Sequence, residues 1–119
     1  MILHLVLVQF ASGVEESQVA EFIERIKAHN RRIPQVQSME IGHHLERDEE
    51  LNELPYGALV SKDYPYCFLL RFNSAEALAT YLNHPDHEQL GEEFLGIVEK
   101  IRVLDFIVAE DKPSTNAPG

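Results

Sequence analysis

The residues from Tyr81 to Leu90, "YLNHPDHEQL", set a tyrosine and two histidines around a proline. Imidazole titrates near neutrality, so His87 is able to take up and give back a proton at physiological pH. Abstraction of a proton beside a carbonyl needs such a base within hydrogen-bond reach. A tyrosine hydroxyl such as that of Tyr81 can polarise the carbonyl oxygen or steady the resulting enolate. A base and a donor in an apolar pocket form a minimal aldol or isomerisation site. His4 adds a third group, an imidazole inside the apolar opening "MILHLVLVQF". Val6, Phe22, Ile26 and Leu78 are the expected apolar walls of the pocket.

Each of these residues also has a purely structural reading. Tyr81 lies on the inner stripe of a helix, where a tyrosine packs in the core with its hydroxyl satisfied. His87 falls in the first turn of a helix. His4 fits equally well as a core histidine bonded to a neighbour. A metal pair from His84 and His87 is not expected. Pro85 suits the first position of a new helix, which makes His84 its cap, and no third ligand follows at a recognisable spacing. His43 and His44 alternate to opposite faces of a strand and cannot chelate together.

The elements that position these groups follow from periodicity. Ile2 to Phe10 is almost wholly apolar, as in a strand covered on both faces. Val19, Phe22, Ile23 and Ile26 recur at helical spacing, which predicts a helix from about Glu15 to Asn30, with Ser12 and Glu15 at capping-box spacing. "VQSMEIGHHL" reads as a half-polar second strand, and Glu46 to Pro65 as a long acidic loop. "YPYCFLLRF" is a third strand. "NSAEALATYLNH" is a helix capped by Asn73 or Ser74. After Pro85, Leu90, Phe94, Ile97, Val98 and Ile101 continue a helical stripe through Lys100, and "RVLDFIVAE" closes as a strand. Residues 1–110 form one domain, and the Pro/Gly-rich end, 111–119, is expected to be disordered.

This order predicts an α+β fold, a ferredoxin-like βαββαβ antiparallel sheet with helices on one face. The other face carries enough apolar residues to expect a homodimer through the sheet, closing into an α+β barrel.

Composition bounds the partners. The chain of 119 residues has twenty acidic against ten basic side chains, a formal charge of −10. Nucleic acid and anionic membranes need a basic face, so neither is expected as a partner. The single cysteine, Cys67, excludes an internal disulfide and fits a reducing compartment. The opening lacks a basic start and a small-residue cleavage site, which predicts a cytoplasmic protein. There is no phosphate-cradling glycine loop and no dinucleotide fingerprint, and no cofactor is expected.

The segments "HLVLVQF", "IPQVQSMEIG", "YLNHPDHEQL" and "VLDFIV" together resemble the stress-responsive A/B barrel family, over Ile2 to Val108. The resemblance implies a homodimer whose two sheets form a central barrel. In the plant polyketide cyclase branch of that family, the reactive residues match His4, Tyr81 and His87. A further tyrosine of that branch is replaced here by Ile26. Some plant relatives hold magnesium through backbone carbonyls; the matching segment is Ile33 to Met39. The implied function is a hydrophobic small-molecule site with cofactor-independent cyclase, isomerase or lyase chemistry. The alternative is a non-catalytic homodimer that binds a ligand or serves in a stress response.

Overall fold

The computed structural model describes residues 1–109. The tail expected at 111–119, and the domain boundary at 110, lie outside the described residues. The elements are β1 (Ile2–Phe10), α1 (Glu16–Arg31), β2 (Ser38–His43), α2 (Glu49–Glu53), a 3-10 turn (Gly57–Leu59), β3 (Tyr66–Phe72), α3 (Ala75–Leu82), α4 (Pro85–Leu95) and β4 (Val98–Ile107). The sheet runs β2-β3-β1-β4 and every neighbouring pair is antiparallel. β1 is hydrogen-bonded on both sides, to β3 and β4, so the most apolar strand takes an inner position.

Strand alternation gives the sheet two faces, and burial is confined to the helix side of the inner strands, since Ile101, Val103 and Ile107 on that side of β4 stay exposed. Val8, Phe68, Leu70 and Phe72 turn to one face and are at most 3% exposed. Phe22 and Ile26 of α1 and Tyr81 of α3 pack onto them as the core. The opposite face carries Leu3, Leu5 and Leu7 of β1, their partners Arg102, Leu104 and Phe106 of β4, and Cys67, Leu69 and Arg71 of β3. Leu104 and Phe106 remain exposed there.

The ferredoxin-like order and the one-sided helix layer are as expected. The closed barrel is not. Among the described residues the sheet has four strands, with β2 and β4 as its two edges, and it stays open. A barrel whose interior is just filled by side chains takes about eight strands. Half that number leaves both edges unpaired with each other.

Three local expectations also change. α1 begins after Glu15, whose backbone N–H donates to Gln18 Oε1 at 2.9 Å, so the reciprocal spacing is Glu15/Gln18 rather than Ser12/Glu15. The acidic loop contains α2, capped by Asp48, which accepts from Leu51 N at 2.9 Å. α4 stops at Leu95, and the residues from Val98 onward run as strand along β1. Val98 and Ile101 fit a helical stripe, but a short apolar run fits a strand equally well. Here the backbone bonds to β1 decide the matter.

Candidate functional site

The break in "YLNHPDHEQL" is built as its residues dictate. Ser74 caps α3, its hydroxyl accepting from Ala77 N at 3.1 Å. α3 ends at Leu82. His84 then caps α4, Nδ1 accepting from Asp86 N at 3.2 Å, with Pro85 at the first helical position where its missing N–H costs nothing. This turn folds the first residues of α4 back toward the end of α3. The Tyr81 and His87 rings lie 4.5 Å apart between centroids.

His4 approaches from the sheet. Its ring sits 6.4 Å from that of Tyr81, edge to face, and is 5% exposed. Its Nδ1 lies 2.5 Å from Asp105 Oδ1, on the neighbouring residue of β4. Donation from Nδ1–H to the carboxylate leaves Nε2 as the nitrogen with the free lone pair.

The three groups line one cavity of about 80 Å³. Val6, Phe22 and Ile26 are among its walls; Leu78 is not, and packs against the core instead. Phe68, Leu70 and Phe94 add further apolar wall.

The surroundings set the protonation states. Burial pushes the Tyr81 hydroxyl up to about 12, against the opposing effect of the Asn30 amide. It is therefore a hydrogen-bond donor, not a phenolate, at neutral pH. Burial, followed by the nearby His29 and His4 rings, holds His87 below the ordinary imidazole value of 6.5, while the Leu82 carbonyl and Glu88 work the other way. His87 is thus neutral at pH 7, with a basic nitrogen to offer. His29, beneath the surface between α1 and α4, is also held down, first by burial and then by His84 and Arg32, with Asp86 opposing.

Two site residues escape a reading of the sequence. Asp105 touches His4 only through the register of strands 101 residues apart. Asn30 is 3% exposed, donates to Met39 Sδ at 2.8 Å, and leaves Oδ1 without a partner among the described residues. It lines the cavity beside Tyr81. Its place in the last full turn of α1, four residues after Ile26, is a signal that could have found it.

Among the described residues, no three His, Cys, Asp or Glu side chains are grouped to hold a metal ion. Burial raises the Cys67 thiol, which keeps it protonated. No described helix is long and apolar enough to cross a membrane.

An open, helix-covered, ferredoxin-like sheet with a cavity beneath its helices defines the class. Residues 2–108 match the model of the Stress responsive A/B Barrel Domain, and the chain belongs to that family. It is 29% identical over 103 residues to the stress-response A/B barrel domain-containing protein HS1 of Arabidopsis thaliana, covering 87% of this chain and 85% of that protein. The crystal structure of At3g17210 from Arabidopsis thaliana superposes with a TM-score of 0.76 at 24% identity, covering 95% of this chain and 100% of that one. The hydroxynitrile lyase of Passiflora edulis superposes with a TM-score of 0.75 at 20% identity, covering 94% and 96%. These likenesses establish the fold. Dimeric ferredoxin-like proteins recur among the further neighbours.

Proposed function

We propose that the chain binds a small carbonyl compound in the cavity beneath its helices and moves a proton on it without a cofactor. The observation that carries this reading is the meeting of Tyr81, His87 and His4, from three different elements, at one apolar cavity. In this reading neutral His87 is the general base that removes a proton beside the carbonyl. The Tyr81 hydroxyl donates to the carbonyl oxygen as negative charge builds on it. His87 holds the abstracted proton and returns it to the compound, while His4, oriented by Asp105, presents its Nε2 lone pair to the same space as a hydrogen-bond acceptor. Asp105 is a positioning residue, not a participant. The existence of a hydroxynitrile lyase among the neighbours agrees with enzymatic use of the fold, and assigns no substrate here.

The test is exchange of α-protons into deuterated water across a panel of small ketones and aldehydes, followed by NMR. For a compound that the protein exchanges, His87→Ala is expected to slow the reaction by about 10²–10⁴-fold. Tyr81→Phe removes only the donor and is expected to cost about 10²–10³-fold. The rate should hold on acidification to below pH 6.5 before it falls, because the base stays unprotonated beyond the ordinary imidazole range. Unchanged exchange by His87→Ala removes it from the mechanism.

A second reading, binding without turnover, is favoured by two observations. The cavity of about 80 Å³ is small against the roughly 300 Å³ at which drug-sized sites begin. Ile26 also presents only hydrocarbon where a cyclase-like site has a hydroxyl. Ligand-induced stabilisation that survives His87→Ala, with no exchange, selects this reading.

We also infer a homodimer through the open sheet face. Leu3, Leu5, Leu7, Leu69, Leu104 and Phe106 form a contiguous apolar surface of the kind that marks an interaction site. The dimeric ferredoxin-like neighbours support it. Sedimentation of Leu104→Asp should give a monomer where the wild type sediments as a dimer.

A further inference from the structure

We propose that the segment from Glu46 to Pro65 is a clasp that docks on the open sheet face of a second copy of this chain. The inference rests on the sheet-face dimer proposed above and adds a second contact surface to it.

The segment is an ordered arm that contributes nothing to its own core. None of its residues belongs to the buried cluster or to the side chains packed against it. Its apolar residues point outward: Leu54, Tyr56, Leu59 and Val60 are all exposed, Tyr56 at 80% and Leu59 at 78%. Yet the arm is built to hold a shape. Arg47 donates to Asn52 Oδ1 at 3.2 Å and to the Leu51 carbonyl at 2.9 Å. Gly57 lies so close to the Asn52 carbonyl that a Cβ there would collide with it. Tyr56 adopts φ of +67°, a left-handed conformation unusual for a tyrosine, at the tip between α2 and the 3-10 turn. A fixed scaffold that presents four apolar side chains to solvent is suited to a partner surface.

The root of the arm shows which surface. The Tyr64 hydroxyl accepts from Arg102 Nε at 3.0 Å. Arg102 is on the open face of β4, and β1 lies between β4 and β3, where the arm ends. The arm and the open face are therefore one continuous surface. Within a single chain the arm touches the face only at its root and leaves Leu104 and Phe106 exposed, with its own Leu59 more exposed still. A second copy, applied face to face, brings two arms and two faces together in a self-complementary interface.

Charge and size agree. The arm carries Glu46, Asp48, Glu49, Glu50, Glu53 and Asp63 against Arg47 and Lys62, whereas the β4 end of the open face offers Lys100 and Arg102 in a chain of net −10. The face of a four-stranded sheet presents roughly 450 Å² in projection. A stable interface buries about 800 Å² per partner. The arm supplies the missing contact.

The test mixes ¹⁵N-labelled and unlabelled full-length protein and treats it with an amine-reactive cross-linker. Mass spectrometry is expected to find Lys62 joined to Lys100 of the partner subunit in mixed-isotope pairs. Their absence, or Lys62–Lys100 links confined to single chains, overturns the clasp. In parallel, Tyr56→Asp combined with Leu59→Asp should raise the dimer dissociation constant at least tenfold with an unchanged circular dichroism spectrum. If that variant dimerises like the wild type while Leu104→Asp is monomeric, the clasp fails and the sheet-face dimer stands. If Leu104→Asp remains dimeric, the sheet-face reading falls and takes the clasp with it. Lys100→Glu with Arg102→Glu should weaken the dimer similarly, and Glu49→Lys with Glu50→Lys on the same chain should restore it.

Discussion

The two faces of the sheet are made by the same strands and fare differently. On the helix side, Val8 and Phe72 are fully enclosed. On the opposite face Leu5 and Leu3 of β1 meet Leu104 and Phe106, which water still reaches, as it reaches Ile101 and Val103 on the helix side of the same edge strand. The sequence of β1 is apolar on both sides, as if both were to be covered. One chain has helices enough for one layer only. Burial on the first face holds the domain together; the apolar surface on the second is available for association. Side chains of one chemical kind thus end up buried or exposed according to what lies above them.

The largest effect that sharpens this contrast is a truncation on each side. Phe72→Ala should destabilise the domain by about 3–5 kcal/mol in urea unfolding, since it empties a fully packed position. Phe106→Ala, measured in the monomeric Leu104→Asp background, should shift stability by less than about 0.5 kcal/mol. Comparable losses at the two positions would dissolve the distinction.

A second contrast is in pH. His29 and His87 both lie on the covered side and both have native pKa values below 6.5. Protonation then favours the unfolded chain, which binds protons more readily. Their contribution is fully present above pH 6.5 and is lost as pH falls toward the native values. Urea midpoints of the wild type should decline over that interval, and His29→Gln with His87→Gln should flatten the decline. An equally steep decline in the double variant would place the sensitivity elsewhere.

The smallest effect belongs to the open face. Arg71 donates to Glu40 at 2.7 Å, with both side chains substantially exposed. Glu40→Ala should cost about 0.2–1 kcal/mol at low salt and less at high salt. A larger, salt-insensitive loss would show that this face is better shielded than the open sheet suggests.

The parts of this architecture legible in the sequence are those with local causes. Pro85 forces a helix start, so His84 reads directly as a cap. The stripe of Tyr81 with Ala77 and Leu78 marks an inward face, and His4 stands out in an apolar strand. Non-local placement is less legible. Leu78 shares that inward stripe but misses the cavity, because periodicity gives a side and not a depth. Asp105 looks like one more acid among twenty until β4 is laid beside β1. The end of α4 was obscured because Ile97, Val98 and Ile101 satisfy helix and strand periods alike. The open sheet was hidden by the family pattern, which describes assemblies as well as chains.

The pairing of His4 with Asp105 has a consequence for biogenesis. β1 precedes the other described strands in the chain and occupies an inner place in the sheet, but one of its two neighbours is the last of them, β4. Contacts so distant along the chain are slow to form, because a long loop must close first. A growing chain therefore holds β1 with an apolar flank uncovered until nearly all of the domain exists. Chaperone demand should be greatest late in translation, and a chain truncated before β4 should be a strong aggregator. The imidazole–carboxylate pair, joining the earliest and latest strands, forms only when the fold is complete.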